Sequence, residues 1–308
     1  MQLHFNKLFF ILAAVGSLTP WVSAPLALIG GCLFAQFIGN PFPRQSAKVS
    51  SWLLKAAIIG LGFSMNLENA LQAGRDGFWL TLVTIGLMLG LCALLGKMLG
   101  MPRRLSWLLA SGTAICGGSA IAAVGPAVQA NAKEMSVSLG VVFLLNALAL
   151  LLFPVLGHLL NMDATHFGLW CAVAIHDTSS VVGAAATYGV DALQVATTVK
   201  LARALWIIPL TLVSALLFKS DNRKLRLPLF ILGFVLVILL NSYFPVPQWF
   251  GDGVVVISRA SLSLCLFLIG AALNFESVRA VGWKPLGLGL ILWIVCILVS
   301  LPAILFLF

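Results

Sequence analysis

Lys200 and Arg203 are basic residues three positions apart inside an apolar stretch, downstream of His176 and Asp177. Because residues three apart share one face of a helix, both cations are expected to point toward one site. Charges inside a bilayer are costly and normally pair there, and one nearby carboxylate cannot neutralise two cations. The pattern therefore predicts that an anion from solution binds Lys200 and Arg203.

The segment around His176 and Asp177 continues with three hydroxyl side chains, Thr178, Ser179 and Ser180. Hydroxyls can hydrogen-bond an oxyanion or coordinate a small cation. Imidazole and carboxyl groups can exchange protons near neutral pH when their surroundings favour it. We expect the hydroxyls to bind substrate, and His176 and Asp177 to carry the coupling ion, a proton or sodium. The alternative is that Asp177 only pairs with a buried base.

A second polar segment, residues 111–119, reads SGTAICGGS within an apolar stretch. Each glycine destabilises a helix by about 1 kcal/mol relative to alanine, and hydroxyl side chains compete for backbone hydrogen bonds. A helix is predicted to break here, so that the start of its second half offers N–H groups to an anion. The alternative is that the glycines only allow close helix packing. The predicted substrate-binding residues are Gly112, Thr113, Cys116, Gly117, Gly118 and Ser119.

Composition assigns the chain to the membrane, because 61% of its 308 residues are hydrophobic, 9% are charged, and the mean hydropathy is +1.09. Apolar runs of roughly 17 to 25 residues are long enough to cross a bilayer as helices, and about eleven are present. The sequence predicts an all-α polytopic membrane protein in the lipid bilayer, with residues 1–308 forming one transporter domain. The predicted spans are 7–23, 24–41, 50–66, 77–99, 105–128, 136–160, 166–188, 191–218, 227–245, 252–273 and 284–307.

Basic residues in the short loops predict the orientation, because Lys and Arg are enriched on the cytoplasmic side. An N-terminus inside and a C-terminus outside place only Arg75 and Lys133 on the periplasmic side of the bacterial inner membrane. The net charge of +9 is thus a topology signal, and no nucleic-acid partner is expected. The loop cations on the cytoplasmic side are Lys7, Arg44, Lys48, Lys97, Arg103, Arg104, Lys219, Arg223, Lys224, Arg226, Arg279 and Lys284.

Catalysis is not expected from this sequence. No loop is long enough to hold a soluble domain, and the six cysteines are scattered singly without metal-ligand spacing. No phosphate-binding loop is present, so transport would be driven by gradients rather than by a nucleotide. We therefore expect no enzyme activity, no cofactor and no metal.

Two internal similarities bear on the architecture. Residues 60–74 resemble residues 268–282 at an offset of 208, pairing Asn66 with Asn274 and Glu68 with Glu276. Predicted spans seven apart run in opposite directions, as in the inverted repeats of secondary transporters. A weaker similarity relates residues 119–123 to residues 179–183. The predicted spans make those two segments parallel, so a span is miscounted, a segment is a re-entrant hairpin, or the similarity is chance.

Four motifs together resemble the YeiH-type membrane proteins, a family named for sulfate export. They are GTAICGGSAIAA at 112–123, the His-Asp pair with its hydroxyl and small residues at 176–186, the Lys200 and Arg203 spacing, and GAALNFESVRAVGWKPL at 270–286. The family is distantly similar to the cation/proton antiporters and the bile-acid, auxin and citrate carriers. The resemblance implies an elevator-type carrier with inverted repeats, whose discontinuous helices contain the glycine-rich and His176 segments.

The leading hypothesis is a secondary active transporter, an exporter of a small anion such as sulfate or sulfite, coupled to protons. One alternative is a monovalent cation/proton antiporter with Asp177 as ion ligand, and another is a membrane sensor that does not transport. Homologous folds often form homodimers, which makes a homodimer the expected assembly. The role of Asn146, alone in an apolar helix, stays open between an interhelical hydrogen bond and the site.

Overall fold

The structure, a computed structural model, describes residues 2–19, 21–22, 24–219, 229–244, 246–272 and 282–307. Every regular element in these ranges is a helix, which confirms the predicted all-α class. Among the described residues, five helical stretches are long and apolar enough to cross a membrane: Ala70–Met98, Ala132–Leu159, Val190–Leu217, Gln248–Gly270 and Trp283–Phe306. The stretch Val190–Leu217 consists of two consecutive helices. These five stretches support a multi-pass membrane protein.

The helices follow the predicted apolar runs, and the two polar segments interrupt two of them. In chain order the helices are α1 (Gln2–Gly16), α2 (Ala24–Phe37), α3 (Pro43–Leu61), α4 (Leu67–Met98), α5 (Arg103–Ala114), α6 (Gly118–Ala127), α7 (Ala132–Leu159), α8 (Ala164–Ala174), α9 (Thr178–Tyr188), α10 (Val190–Ala204), α11 (Ile207–Leu217), α12 (Leu229–Tyr243), α13 (Gln248–Gly270) and α14 (Trp283–Leu307).

The helices divide into two compact units, Met1–Leu71 with Pro228–Phe275 and Gln72–Leu227 with Glu276–Phe308. In the first unit, α13 packs against both α2 and α3. Its close approach to α2 requires glycines, because a Cβ on Gly31 would lie 2.1 Å from the Phe267 carbonyl oxygen, and one on Gly270 would lie 2.3 Å from the Leu28 carbonyl oxygen. Small residues of this kind let membrane helices pack backbone to backbone.

Replacing Gly31 with alanine is therefore expected to destabilise the first unit by about 1–3 kcal/mol, because the added methyl group overpacks a backbone contact. The adjacent Gly30 is a matched control, since a Cβ there would have no neighbour within 4 Å. Alanine at Gly30 should be neutral or slightly stabilising, because alanine favours helix. Thermal unfolding of both variants in detergent measures the difference, and equal melting temperatures would contradict this packing.

In the second unit, α5 and α6 form a re-entrant hairpin, called hairpin 1 below. A Cβ on Gly112 of α5 would lie 2.9 Å from Cδ1 of Ile121 in α6. Nine residues of straight helix would separate those positions by roughly 13 Å along the axis, so the chain folds back on itself between them. Hairpin 1 returns to the start of α7, where a Cβ on Gly125 would lie 2.3 Å from Sδ of Met135.

Helices α8 and α9 form the second re-entrant hairpin, hairpin 2. Phe167 near its beginning stacks on Tyr188 at its end, with ring centroids 3.8 Å apart, and the Tyr188 hydroxyl donates to the Met162 carbonyl oxygen at 2.5 Å. A Cβ on Gly157, near the end of α7, would touch both rings. Hairpin 2 therefore starts and finishes at the end of α7 opposite to the one that hairpin 1 contacts.

The two hairpins correct the predicted spans. Residues 105–128 and 166–188 were each expected to cross the bilayer, and that expectation is wrong because each segment returns to the end of α7 from which it started. The helix stops at residues 115–117, where glycine and hydroxyl residues predicted a break, and at residues 175–177, where the family resemblance implied one. Chain reversal at these breaks depends on packing against α7, which local composition does not encode.

The hairpins also resolve the similarity between residues 119–123 and 179–183. Ser119 and Ser179 are each the second residue of a helix that leaves a hairpin tip, in α6 and α9. Because α6 runs toward the start of α7 and α9 toward its end, the two similar segments are antiparallel. An inverted repeat requires this antiparallel arrangement, so the predicted parallel orientation of the two segments is wrong. The 208-residue repeat stays a prediction, because residues 273–281 lie outside the described part, as do Arg223, Lys224 and Arg226.

Candidate functional site

The tips of the two hairpins meet near the middle of α7. A Cβ on Gly117, at the tip of hairpin 1, would lie 3.3 Å from Cα of Asp177 at the tip of hairpin 2 and 3.1 Å from Cγ1 of Val142 in α7. Four half-length helices thus end or begin in one place, bringing together the two polar segments that the sequence singled out. Their termini carry unsatisfied backbone groups that must find partners away from water.

Lys200 and Arg203, both on α10, satisfy the C-terminal ends of α5 and α8. The Lys200 side chain is 0% exposed and that of Arg203 is 1% exposed. Lys200 Nζ donates to the carbonyl oxygens of Ala172 at 3.2 Å and Ile175 at 2.7 Å. Cations are favourable at these ends, because a helix C-terminus carries about half a negative charge.

Arg203 joins the two hairpins through one guanidinium group. Its Nε donates to the Ala114 carbonyl oxygen of hairpin 1, and its Nη1 to the Val173 carbonyl oxygen of hairpin 2, both at 2.8 Å. Its Nη2 is buried without a partner among the described residues. The geometry makes Arg203 a structural bridge with one donor still available.

Helix α14 completes the C-terminal end of α8. Trp293 Nε1 donates to the Ala174 carbonyl oxygen at 3.0 Å. The Cys296 thiol lies 3.6 Å from the carbonyl oxygen of Val173. Every carbonyl from Ala172 to Ile175 therefore has a side-chain donor. Sequence analysis missed Trp293 and Cys296, because no local pattern distinguishes them from other membrane-helix residues.

The N-terminus of α9 is capped by Asp177. Its carboxylate accepts from the Ser179 backbone N–H at 3.0 Å and also from the Ser179 hydroxyl. Aspartate is a favourable N-cap, because its charge opposes the positive helix end. Asp177 is half-buried and thus reachable from outside the tip.

The N-terminus of α6 has no such cap. Its N-cap residue is Gly117, with no side-chain hydrogen bond, so the first N–H groups of α6 have no intrahelical acceptor. Gly118 is half-buried and Ser119 is exposed, so the start of this helix is accessible. An uncapped helix N-terminus with an adjacent hydroxyl is chemically suited to an anion.

Gly117 adopts φ +60° and ψ −124°, a conformation that side chains with a Cβ rarely adopt. Replacing Gly117 with alanine is expected to destabilise the protein by about 1–3 kcal/mol and to separate the hairpin tips, because the methyl group would press on Val142 and Asp177. Gly118, with helical backbone and only movable side chains nearby, is the control. Melting temperatures that fall equally for the two alanine variants would contradict a special role for Gly117.

Asn146 of α7 resolves the question left open by the sequence, because it holds the tip of hairpin 2. Its Oδ1 accepts from the backbone N–H groups of His176 at 3.0 Å and Asp177 at 3.1 Å. Asn146 Nδ2 and both ring nitrogens of His176 are buried and without a partner among the described residues. The tip therefore contains three nitrogen atoms without a hydrogen-bond partner among the described residues, close to Lys200 and Arg203.

The remaining five predicted site residues are all buried. They are Gly112, Thr113, Cys116, Thr178 and Ser180, and the Thr113 hydroxyl donates to the Leu109 carbonyl oxygen of its own helix. Contact of any of these residues with a substrate stays a prediction. Among the described residues, no group of three or more metal-ligating side chains is present.

Asp177 is not the only group that compensates the charges of Lys200 and Arg203. The sequence predicted that it was, and that a substrate anion supplies the remaining negative charge. The structure provides carbonyl oxygens from two helix ends, which neutralise much of that charge without a ligand. Two basic side chains still outnumber one carboxylate, and the N-terminal ends of α6 and α9 direct their N–H groups to the same place, so the tip keeps positive character.

Comparison with known proteins fits this description. The model of the family described as Conserved hypothetical protein 698 matches residues 7–289. The chain belongs to this family. Relatives named UPF0324 membrane protein include one from Shewanella oneidensis, 49% identical over 98% of this chain and 95% of its own length. Another, from Bacteroides thetaiotaomicron, is 47% identical over 93% of this chain and 87% of its own length.

The YeiH-type resemblance drawn from the motifs agrees with this family assignment. The relatives' printed names describe membrane proteins and give no substrate. No solved structure matches the chain. The evidence on function therefore comes from the hairpins and from the charged residues at their tips.

Proposed function

We propose that this protein is a secondary active transporter that moves a small inorganic anion, such as sulfate or sulfite, across the bacterial inner membrane. The supporting observation is the meeting of two oppositely oriented hairpins at an electropositive tip. Interrupted helices at the middle of a membrane are where secondary transporters bind substrates, with helix N-termini pointing at anionic groups. The uncapped start of α6 is the proposed anion site, and Lys200 and Arg203 supply positive charge beneath it.

Proton coupling is proposed to act through Asp177, with His176 beside it. When the Asp177 carboxylate is charged it repels an anion at the start of α6, and when protonated it does not. Proton and anion binding would then favour each other at this tip. The proposed cycle moves the hairpins relative to the membrane, as the elevator resemblance implies.

The hairpins also change the proposed topology. Segments that return to their own side leave about nine crossings, still an odd number, so the N-terminus stays cytoplasmic and the C-terminus periplasmic. Lys133 then moves to the cytoplasmic side. Of the loop cations considered above, only Arg75 remains outside, which fits the distribution of basic residues better than eleven crossings do.

Transport can be tested with purified protein in liposomes, by following radiolabelled sulfate and sulfite under an imposed pH gradient. The proposal predicts saturable uptake above that of protein-free liposomes, with a rate that depends on the pH gradient. Thermal stabilisation by an anion without any flux would instead identify a sensor, because a ligand stabilises a protein that binds it whether or not it is carried. Sodium-driven proton movement without anion flux would identify a cation/proton antiporter.

A further inference from the structure

A cavity of about 330 Å³ lies between the end of α4 and one side of α5, which it follows from Arg103 to Ala110. Its walls are mostly apolar, and two cations, Lys97 and Arg103, border it. The transport proposal does not use this cavity. Its residues all belong to the second unit, and they are Ala93, Gly96, Lys97, Met101, Arg103, Ser106, Trp107 and Ala110.

The beginning of α5 has an electrostatic arrangement that folding alone does not favour. Arg103 and Arg104 occupy its first turn, which contains no acidic residue, and its N-cap Pro102 offers no side-chain hydrogen bond. Positive charge is normally disfavoured at the positive end of a helix. Glu134 lines a neighbouring cavity with both arginines but forms no ion pair with them among the described residues. The two arginines and the free N–H groups therefore form a site that an anionic group would complete.

A buried hydroxyl inside the cavity is a second, independent sign of a ligand. Ser106 is 7% exposed, and its Oγ has no hydrogen-bond partner among the described residues. The hydroxyl lies against α4, since a Cβ on Gly96 would be 2.5 Å from it. Buried hydroxyls are normally hydrogen-bonded, so an unpaired one lining a cavity suggests that a ligand supplies the partner.

The cavity walls are held in place by contacts around them. Trp107 Nε1 donates to the Ser214 hydroxyl at 2.8 Å, which fixes the indole as one wall. The Arg103 guanidinium lies 4.9 Å from the centre of the Phe218 ring. Beside the cavity, Leu94 and Met98 of α4 are exposed, 58% and 73% respectively, so an apolar surface continues outward from its mouth.

We propose that this cavity binds one anionic phospholipid. The phosphate would bind Arg103 and Lys97 and accept the Ser106 hydrogen bond, while an acyl chain lies against Trp107 and the exposed face of α4. A free phosphate ion would use the same cations but leave the apolar wall uncovered, and this is the reason to favour the lipid. Basic pockets between membrane helices are known to accept anionic lipid headgroups.

The test uses the full chain purified in detergent and stripped of lipid. Phosphatidylglycerol, phosphatidylcholine and inorganic phosphate are added separately, and native mass spectrometry with thermal unfolding reports binding. Native mass spectra should show a complex of one phosphatidylglycerol molecule with one protein chain, and this lipid should raise the melting temperature. Phosphatidylcholine and inorganic phosphate should give smaller responses. Equal responses to phosphatidylglycerol and phosphatidylcholine would overturn the proposal, and so would equal stabilisation by inorganic phosphate, which would mark a site for a free anion.

Variants separate this site from general attraction of lipids to basic residues. The double variant K97Q/R103Q should bind phosphatidylglycerol about thirtyfold more weakly, on the scale of two interfacial charges. Lys48→Gln is the matched control, because Lys48 is an exposed cation in the first unit. Equal weakening by K48Q and by the double variant would contradict a defined site.

Ala93→Phe provides a test that leaves every charge in place. The larger side chain should fill the mouth of the cavity and lower phosphatidylglycerol binding without changing the weak response to inorganic phosphate. Unchanged phosphatidylglycerol binding to this variant would overturn the proposal, even if the double variant failed to fold. Gel filtration and the melting temperature without lipid establish that each variant is folded before binding is compared.

Discussion

Replacing Arg203 with alanine is expected to destabilise the protein by about 3–5 kcal/mol, among the largest effects of any single substitution in this chain. The guanidinium donates to carbonyl oxygens of both hairpins, Ala114 in hairpin 1 and Val173 in hairpin 2. Alanine would leave the buried Ala114 oxygen unsatisfied, leave the Val173 oxygen only the weak Cys296 thiol as donor, and remove the cation that compensates two helix ends. Thermal unfolding in detergent measures the loss.

Arg203→Lys is the informative comparison. Lysine keeps the charge but cannot reach both hairpins with the planar geometry of a guanidinium. Its stability should therefore fall between that of the wild type and that of Arg203→Ala. If alanine and lysine variants both melted at the wild-type temperature, Arg203 would have no bridging role, and its charge would be free to serve a substrate alone.

Replacing Asp177 with asparagine is expected to uncouple anion transport from protons while leaving the fold intact. Asparagine is about as good an N-cap as aspartate, so it can still accept from the Ser179 N–H at the start of α9. Its side chain carries no charge at any pH. The variant should transport the anion without responding to a pH gradient, and the anion should bind at least about tenfold more tightly at neutral pH, because a like charge is removed.

The affinity difference between the wild type and the variant follows from the charge of Asp177. Asp177→Asn should bind sulfate more tightly than the wild type at every pH measured, because the repelling carboxylate is gone. Thermal shifts with sulfate across pH 5 to 8 compare the two proteins. Loss of all transport in the variant together with retained folding would favour the cation/proton antiporter, because a cation would then lack its ligand.

A variant at the start of α6 separates the anion site from the fold. Ser119→Ala removes an exposed hydroxyl at the start of α6 and should weaken anion binding while leaving the melting temperature without ligand unchanged. The side chain makes no contact with the hairpin carbonyls, so its effect would report on the anion alone. A fall in the unliganded melting temperature would assign Ser119 to the fold instead.

Much of this architecture was accessible from the sequence. Apolar run lengths and composition predicted an all-α membrane protein, because a bilayer accepts only backbones whose polar groups are satisfied within the segment. Glycine and hydroxyl density predicted the interruption within residues 111–119, because those residues weaken the helical ladder, and the family resemblance implied the second interruption near His176. The pairing of Lys200 with Arg203 predicted a shared buried face, and the structure places both side chains at the meeting point of the two hairpins.

Chain reversal and charge compensation depended on the tertiary structure. A helix interrupted at Gly117 can continue across the membrane or turn back, and the choice depends on contacts with α7 that lie far away in sequence. The partners of Lys200 and Arg203 are likewise backbone carbonyls, which every residue carries and no side-chain pattern marks. Local sequence thus determined where the helices stop and which charged side chains are buried. Packing between distant segments decided whether the chain turns back at each interruption and which atoms each charged side chain contacts.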